Sequence, residues 1–163
     1  MRMGRGAPDR ILSARIDELE REVLAVSRPT SRRLKLKVTD LPFRSHDLTR
    51  CLGAAKEAYL FAATLGHDVD RLIRKYAALS AADLLIVQAI AATAIEQYID
   101  DETASWGEKL LPRYSPGYGD LPLSVQPAFL AALDAQKTLG ITLTETFLMI
   151  PSKSVTAVIG VLP

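Results

Sequence analysis

The chain has 163 residues, 48% of them hydrophobic and 24% charged, and its 20 basic side chains nearly cancel 19 acidic ones to leave a net charge of +1. A chain of this size and composition is expected to form one domain with a real core, and the charge balance excludes nucleic-acid binding carried by bulk positive charge. A single cysteine, Cys51, excludes an intrachain disulfide and a thiolate metal cluster.

His46 and His67 are the only histidines, and neither has a metal-ligand partner at helical spacing, so both read as caps or surface residues. No apolar run approaches the roughly 18 residues that a membrane span requires, and MRMGRGAPDR lacks the apolar core of a secretory signal. The expected location is therefore the cytoplasm, with neither membrane nor nucleic acid as a partner.

Residues 1–10, rich in glycine and arginine, read as a flexible N-terminal arm ahead of a domain over 11–163. Ile11, Ile16, Leu19, Val23, Leu24 and Val26 then recur at a helical period, and Arg28-Pro29 ends that helix. Leu34, Leu36 and Val38 alternate with Lys35 and Lys37, which predicts a strand with one wet face. The basic run Arg28, Arg32, Arg33, Lys35 and Lys37 reads as solvated charge around that strand.

A short helix is predicted over 45–52, with Ser45 as N-cap and Gly53 as terminator. The run from Glu57 to Leu65 predicts a buried strand, and Asp68 to Tyr76 a helical turn or two. Ser80 opens a long helix to about Glu102, with Ser80 and Asp83 in capping-box spacing. Its alanines, Ala81, Ala82, Ala89, Ala91, Ala92 and Ala94, suggest close packing, while Glu96, Asp100, Asp101 and Glu102 gather near its end.

Ser124 to about Lys137 predicts another helix, with Pro127 in its first turn and Gly140 stopping it. Strands over Glu145–Ile150 and Val155–Leu162, joined through Pro151-Ser152-Lys153-Ser154, complete the pattern as a hairpin. The fold class is α+β: a mostly antiparallel sheet packed with helices, expected on one side. The apolar end Val161-Leu162-Pro163 is expected to be an edge strand open to pairing.

The most informative stretch is RYSPGYGDLP, from Arg113 to Pro122. Arg113 offers a planar fork of donors for a carboxylate or phosphate. Ser115-Pro116 stiffens the segment, Gly117 and Gly119 permit close approach to the backbone, and Tyr118 adds an aromatic face. These residues describe either a preorganised loop for a small acid-bearing ligand or a Pro/Gly connection between two elements. No nucleophile–base constellation can be assembled from two unlinked histidines and one cysteine, so the chain does not read as a self-sufficient catalyst.

RYSPGYGDLPLSVQPAFLAAL followed by KTLGITLTETFLMIPSKSVTAVIG resembles the activation (reactivation) domain of cobalamin-dependent methionine synthase, and more closely the small free-standing proteins made of that domain alone. Arg113, Gly117 and Tyr118 carry one signature; Gly140, Ile141, Leu143, Thr144, Glu145, Thr146, Pro151, Ser154 and Val155 carry the other. The resemblance is fullest over 105–160, while 11–100 match as a similar run of elements.

The resemblance implies that S-adenosylmethionine lies across the arginine loop and supplies the methyl group when an oxidised cobalamin is reductively remethylated. Arg113 would contact the ligand's carboxylate. The backbone of Tyr114, Ser115, Pro116 and Gly117 would hold its adenine and amino groups, and Tyr118 would lie along it near the corrin edge. Cobalamin would come only through a partner, a corrinoid protein or split methionine synthase, with a flavodoxin-like or other electron donor.

The family's acidic contact to the amino group near the domain start and its tyrosine beyond the last strand have no evident equivalent; Glu96 and Asp120 are the candidates for the remaining contacts, and their spacing does not assign either. The alternative is a non-catalytic binding or scaffold module of the same fold without the ligand. A doubly wound methyltransferase is disfavoured, because the chain lacks its strand, glycine-rich loop and helix start.

Overall fold

The apolar run from Glu57 to Thr64 becomes the middle strand of a three-stranded antiparallel sheet, and the other elements cover both of its faces. The computed structural model describes residues 10–163. In chain order these form α1 (Arg10–Val26), β1 (Thr30–Lys37), α2 (His46–Leu52), β2 (Glu57–Thr64), α3 (His67–Leu79), α4 (Ala81–Ala104), α5 (Gln126–Ala132), α6 (Ala135–Leu139), β3 (Thr142–Leu143), β4 (Met149–Ile150) and β5 (Ser154–Val161). The expected arm over 1–10 lies outside the described residues, except for Arg10 at the start of α1.

Sheet order is β1-β2-β5, with Leu60 opposite Leu34 on one side and Val158 on the other. Successive β2 side chains point to opposite faces. Tyr59, Phe61 and Ala63 therefore pack under α1, α3 and α4 with Leu19, Val23, Val87 and Ile99. Ala58, Leu60 and Ala62 pack on the other face with Leu48 and Leu52 of α2 and Phe129 and Leu130 of α5. A strand buried on both faces reads as a continuous apolar run rather than an alternation. The α+β class holds, but the helices expected on one side occupy both.

Local signals determine several boundaries. Ser45 Oγ accepts from Leu48 N at 3.0 Å, and Gly53 ends α2 with φ +52°. Ser80 Oγ accepts from Asp83 N at 3.2 Å, while the Asp83 carboxylate turns to Arg15 at 2.7 Å and ties α1 to α4 instead of completing a capping box. The helix expected as a turn or two over 68–76 runs as α3 from His67 to Leu79.

Four of the six α4 alanines are exposed; Ala91 is buried and Ala94 partly so, which corrects the expected close packing. α4 is also long and apolar enough, by length and composition alone, to cross a membrane, which corrects the expectation that no run approached that length.

The C-terminal third departs furthest. The helix expected over 124–137 breaks into a 3-10 turn, α5 and α6, with Asp134 in the left-handed region at φ +50° between the two helices. Of the strand expected over 145–150 only Met149–Ile150 is extended, and it pairs with β3 rather than making a hairpin with β5. The connecting turn is instead fastened to α3, where Asp70 accepts from Ser152 N at 2.8 Å and from its hydroxyl at 2.6 Å.

The outer edge of β5 is paired with the incoming loop through Leu110 and Tyr114, so the C-terminal segment is not the open edge. That edge is β1, where Arg32, Arg33, Lys35 and Lys37 discourage further pairing. Two of these charges are engaged: Arg33 lies 4.5 Å from the Trp106 ring centre, and Lys35 pairs with Glu108 at 2.8 Å.

Phe61 has no exposed surface and touches Trp106 edge-on at a centroid distance of 5.4 Å. Phe61→Ala is expected to lower unfolding stability by about 3–5 kcal/mol, read as a drop in the urea midpoint. A change within about 0.5 kcal/mol would contradict this placement of the core.

Candidate functional site

Leu111 to Asp120 leaves the sheet edge and returns as a loop whose shape is set by its own backbone bonds. Tyr114 and Val158 exchange N–H to carbonyl bonds of 2.9 and 2.8 Å, which dock the loop on β5. Gly117 N donates to Leu121 O at 2.8 Å, and Tyr114 Oη donates to Tyr118 O at 3.1 Å.

Two glycines are needed here for conformation and space. Gly117 sits at φ +95°. A Cβ on Gly119, at φ +51°, would fall well inside contact distance of the Asp47 carboxylate and the Tyr114 hydroxyl.

Asp120 anchors the end of this loop. Its carboxylate accepts from His46 N at 2.8 Å and from Asp47 N at 3.1 Å at the start of α2. Burial works to raise its pKa, but the Ser45 hydroxyl and the N–H groups of Asp47 and His46 outweigh this and hold the carboxyl below its ordinary range. Burial, followed by the negative charges of Asp47 and Asp120, pushes the Tyr114 phenol upward and keeps it protonated as a donor.

Beside the loop lies a cleft of about 430 Å³. Arg113, Tyr114, Ser115, Pro116 and Tyr118 line one side, so five of the six residues expected from sequence border it. Gly117 does not, and its N–H is already committed to Leu121. Gly117 makes the turn that presents its neighbours. Tyr118 is 68% exposed and forms the rim.

The two candidate acids part company. Asp120 is spent on α2, whereas Glu96 lines the cleft and accepts from Arg113 Nη2 at 2.6 Å, with Asp100 one turn further along α4 at 3.6 Å. Only one guanidinium nitrogen bonds to Glu96, so the fork keeps donors for a second anion.

Sequence reasoning missed the opposite wall, which comes from α5, the β3–β4 turn and the start of β5. The turn is closed by Phe147 N to Thr144 O at 3.0 Å and Thr144 N to Leu148 O at 2.9 Å. It places Phe147 on the cleft at φ +65°, a strained conformation for a bulky residue. At the floor, Thr156 Oγ1 and Gln126 Oε1 lie 2.9 Å apart, and both residues are 2% exposed. A glutamine beside a helix-opening proline and a threonine within an apolar strand were the signals available.

The comparisons with known proteins fit this geometry at the level of fold. No family model matches the chain, and no curated protein matches it. Among solved structures, it is similar to a crystal structure of the MetH reactivation domain bound to AdoHcy. The TM-score is 0.52 at 14% identity, over 97% of this chain and 70% of that one. The chain thus has a reactivation-domain-like fold.

The folded-state carboxyl of Asp120 titrates below its ordinary value of 3.8. Its anchoring contribution is therefore complete above that pH and is lost as pH falls through the lower folded value. Asp120→Asn is expected to flatten the loss of urea midpoint as pH falls below Asp120's ordinary 3.8. An unchanged acid limb would remove Asp120 from the anchor. Gly119→Ala is expected to cost about 1–3 kcal/mol in the same assay, and a neutral result would contradict the crowded packing at that turn.

Proposed function

We propose that this protein binds S-adenosylmethionine in the Arg113 cleft and serves as a reactivation subunit for a separate cobalamin-dependent methionine synthase or other corrinoid protein. The observation that carries the reading is the meeting of Arg113 and Glu96 at one end of a cleft in this fold. A guanidinium fork suits the ligand's carboxylate, and an adjacent carboxylate suits its ammonium. The volume, about 430 Å³, falls in the range of small-molecule sites. The similar solved structure holds AdoHcy, the product that remains once the methyl group has left.

The residues of this chain would act by position rather than by acid–base chemistry. A reduced corrinoid on the partner would supply the electron pair that accepts the methyl group, so that the sulfur–methyl bond would break with its own pair left on sulfur and release S-adenosylhomocysteine. A flavodoxin-like or other separate donor supplies the reducing electron. Arg113 and Glu96 hold the amino-acid end, Tyr118 stands at the exposed rim facing the partner, and orientation supplies the rate advantage.

A second reading has one observation in its favour. Arg113 is already neutralised by Glu96 and Asp100, as in a scaffold module that uses the pair to hold the loop against α4.

Thermal melting separates the two. S-Adenosylhomocysteine at about 100 times its Kd is expected to stabilise the protein by about 2.7 kcal/mol, a rise of roughly 5–10 °C for a domain of this size. Arg113→Ala should abolish the shift while leaving the unliganded Tm within about 2 °C, because exposed ion pairs contribute little. No shift at millimolar ligand would establish the scaffold reading instead.

A further inference from the structure

We infer that Gln126, held in place by Thr156, is the residue that reads the purine ring of the nucleoside ligand. The inference rests on the proposed ligand class and goes beyond it by assigning a specificity contact.

Gln126 opens α5 at the floor of the cleft and is 2% exposed. Its Oε1 accepts from Thr156 Oγ1 at 2.9 Å, which orients the carboxamide, while Nε2 has no protein partner among the described residues. Nε2 is not sealed from solvent, and Gln126 lines the cleft. The carboxamide Nε2 keeps its N–H donors uncommitted to protein at the cleft, so a ligand with an acceptor there is matched.

The neighbouring walls define the shape of that acceptor. Leu123 and Phe147 line the same cleft as Gln126 and supply apolar surface for a flat ring. The charged groups Arg113 and Glu96 lie together and satisfy an amino-acid end. A donor between apolar walls matches an aromatic nitrogen acceptor, which adenine has and the methionine portion lacks. Thr156 lies opposite Ala62 in the sheet register and on the same face as Val158, so the orienting hydroxyl is built into β5 rather than into a loop. Thr156 is a positioning residue, and Gln126 makes the contact.

The test is a double-mutant cycle by calorimetry with S-adenosylhomocysteine and its 1-deaza, 3-deaza and 7-deaza ring analogues. Each analogue replaces one acceptor nitrogen with a C–H group. The unsubstituted protein is expected to lose about tenfold in affinity for one analogue and little for the others. Gln126→Met, close in volume, should bind S-adenosylhomocysteine about tenfold more weakly and no longer distinguish that analogue from the parent. Thr156→Val, a smaller change, should show the same loss of discrimination and covers the case in which the methionine variant fails to fold. Tight S-adenosylhomocysteine binding with equal affinities across the analogues, or discrimination that survives both substitutions, would overturn the role of Gln126 and leave the ligand class standing. Absence of S-adenosylhomocysteine binding by the unsubstituted protein would overturn the ligand class and this contact together.

Discussion

Two hydrogen bonds between Tyr114 and Val158, one in each direction, hold the site in place. They add a single antiparallel bridge to the outer edge of β5 and convert a Pro/Gly-rich connection into a docked loop. Arg113 immediately precedes the bridge and the Ser115–Tyr118 turn immediately follows it. The guanidinium and the aromatic rim therefore inherit their positions from the sheet. Asp120 secures the far end on α2, which itself packs against the face of the sheet opposite α1, α3 and α4.

The site is thus assembled from four separate layers. α4 brings Glu96 and Asp100 from one side of the sheet, and α5 brings Gln126 from the other. The loop bridges them along the β5 edge, and the β3–β4 turn closes the remaining wall with Phe147. Positioning by strands and helices gives the cleft a rigidity that a free loop lacks. The conformational strain at Phe147 is confined to a wall of this cleft, where such outliers commonly occur.

Many local features were legible from residue order because they depend on neighbours in the chain. Ser45 and Ser80 cap the helices that follow them, and Gly53 and Gly140 end helices by taking left-handed backbone. The continuous apolar run of β2 marked a buried strand, but the helices expected on one face cover both. The break at Asp134 was not legible, because an aspartate in an otherwise helical pattern carries no strong stop signal. The hairpin expected from the Pro151–Ser154 connection failed for another reason. Strand pairing is chosen among all available edges, and β5 is paired with β2 while β4 is paired with β3.

The amino-acid sequence alone determined the α+β class, the cap residues and the central strand, since each rests on residue type and short-range spacing. Tertiary structure alone decided that Glu96 faces Arg113 while Asp120 serves as an anchor, and that Gln126 meets Thr156 at the floor of the cleft. Those contacts join residues 17 to 74 positions apart. No periodicity encodes them, because sheet register and the packing of helices on both faces bring them together.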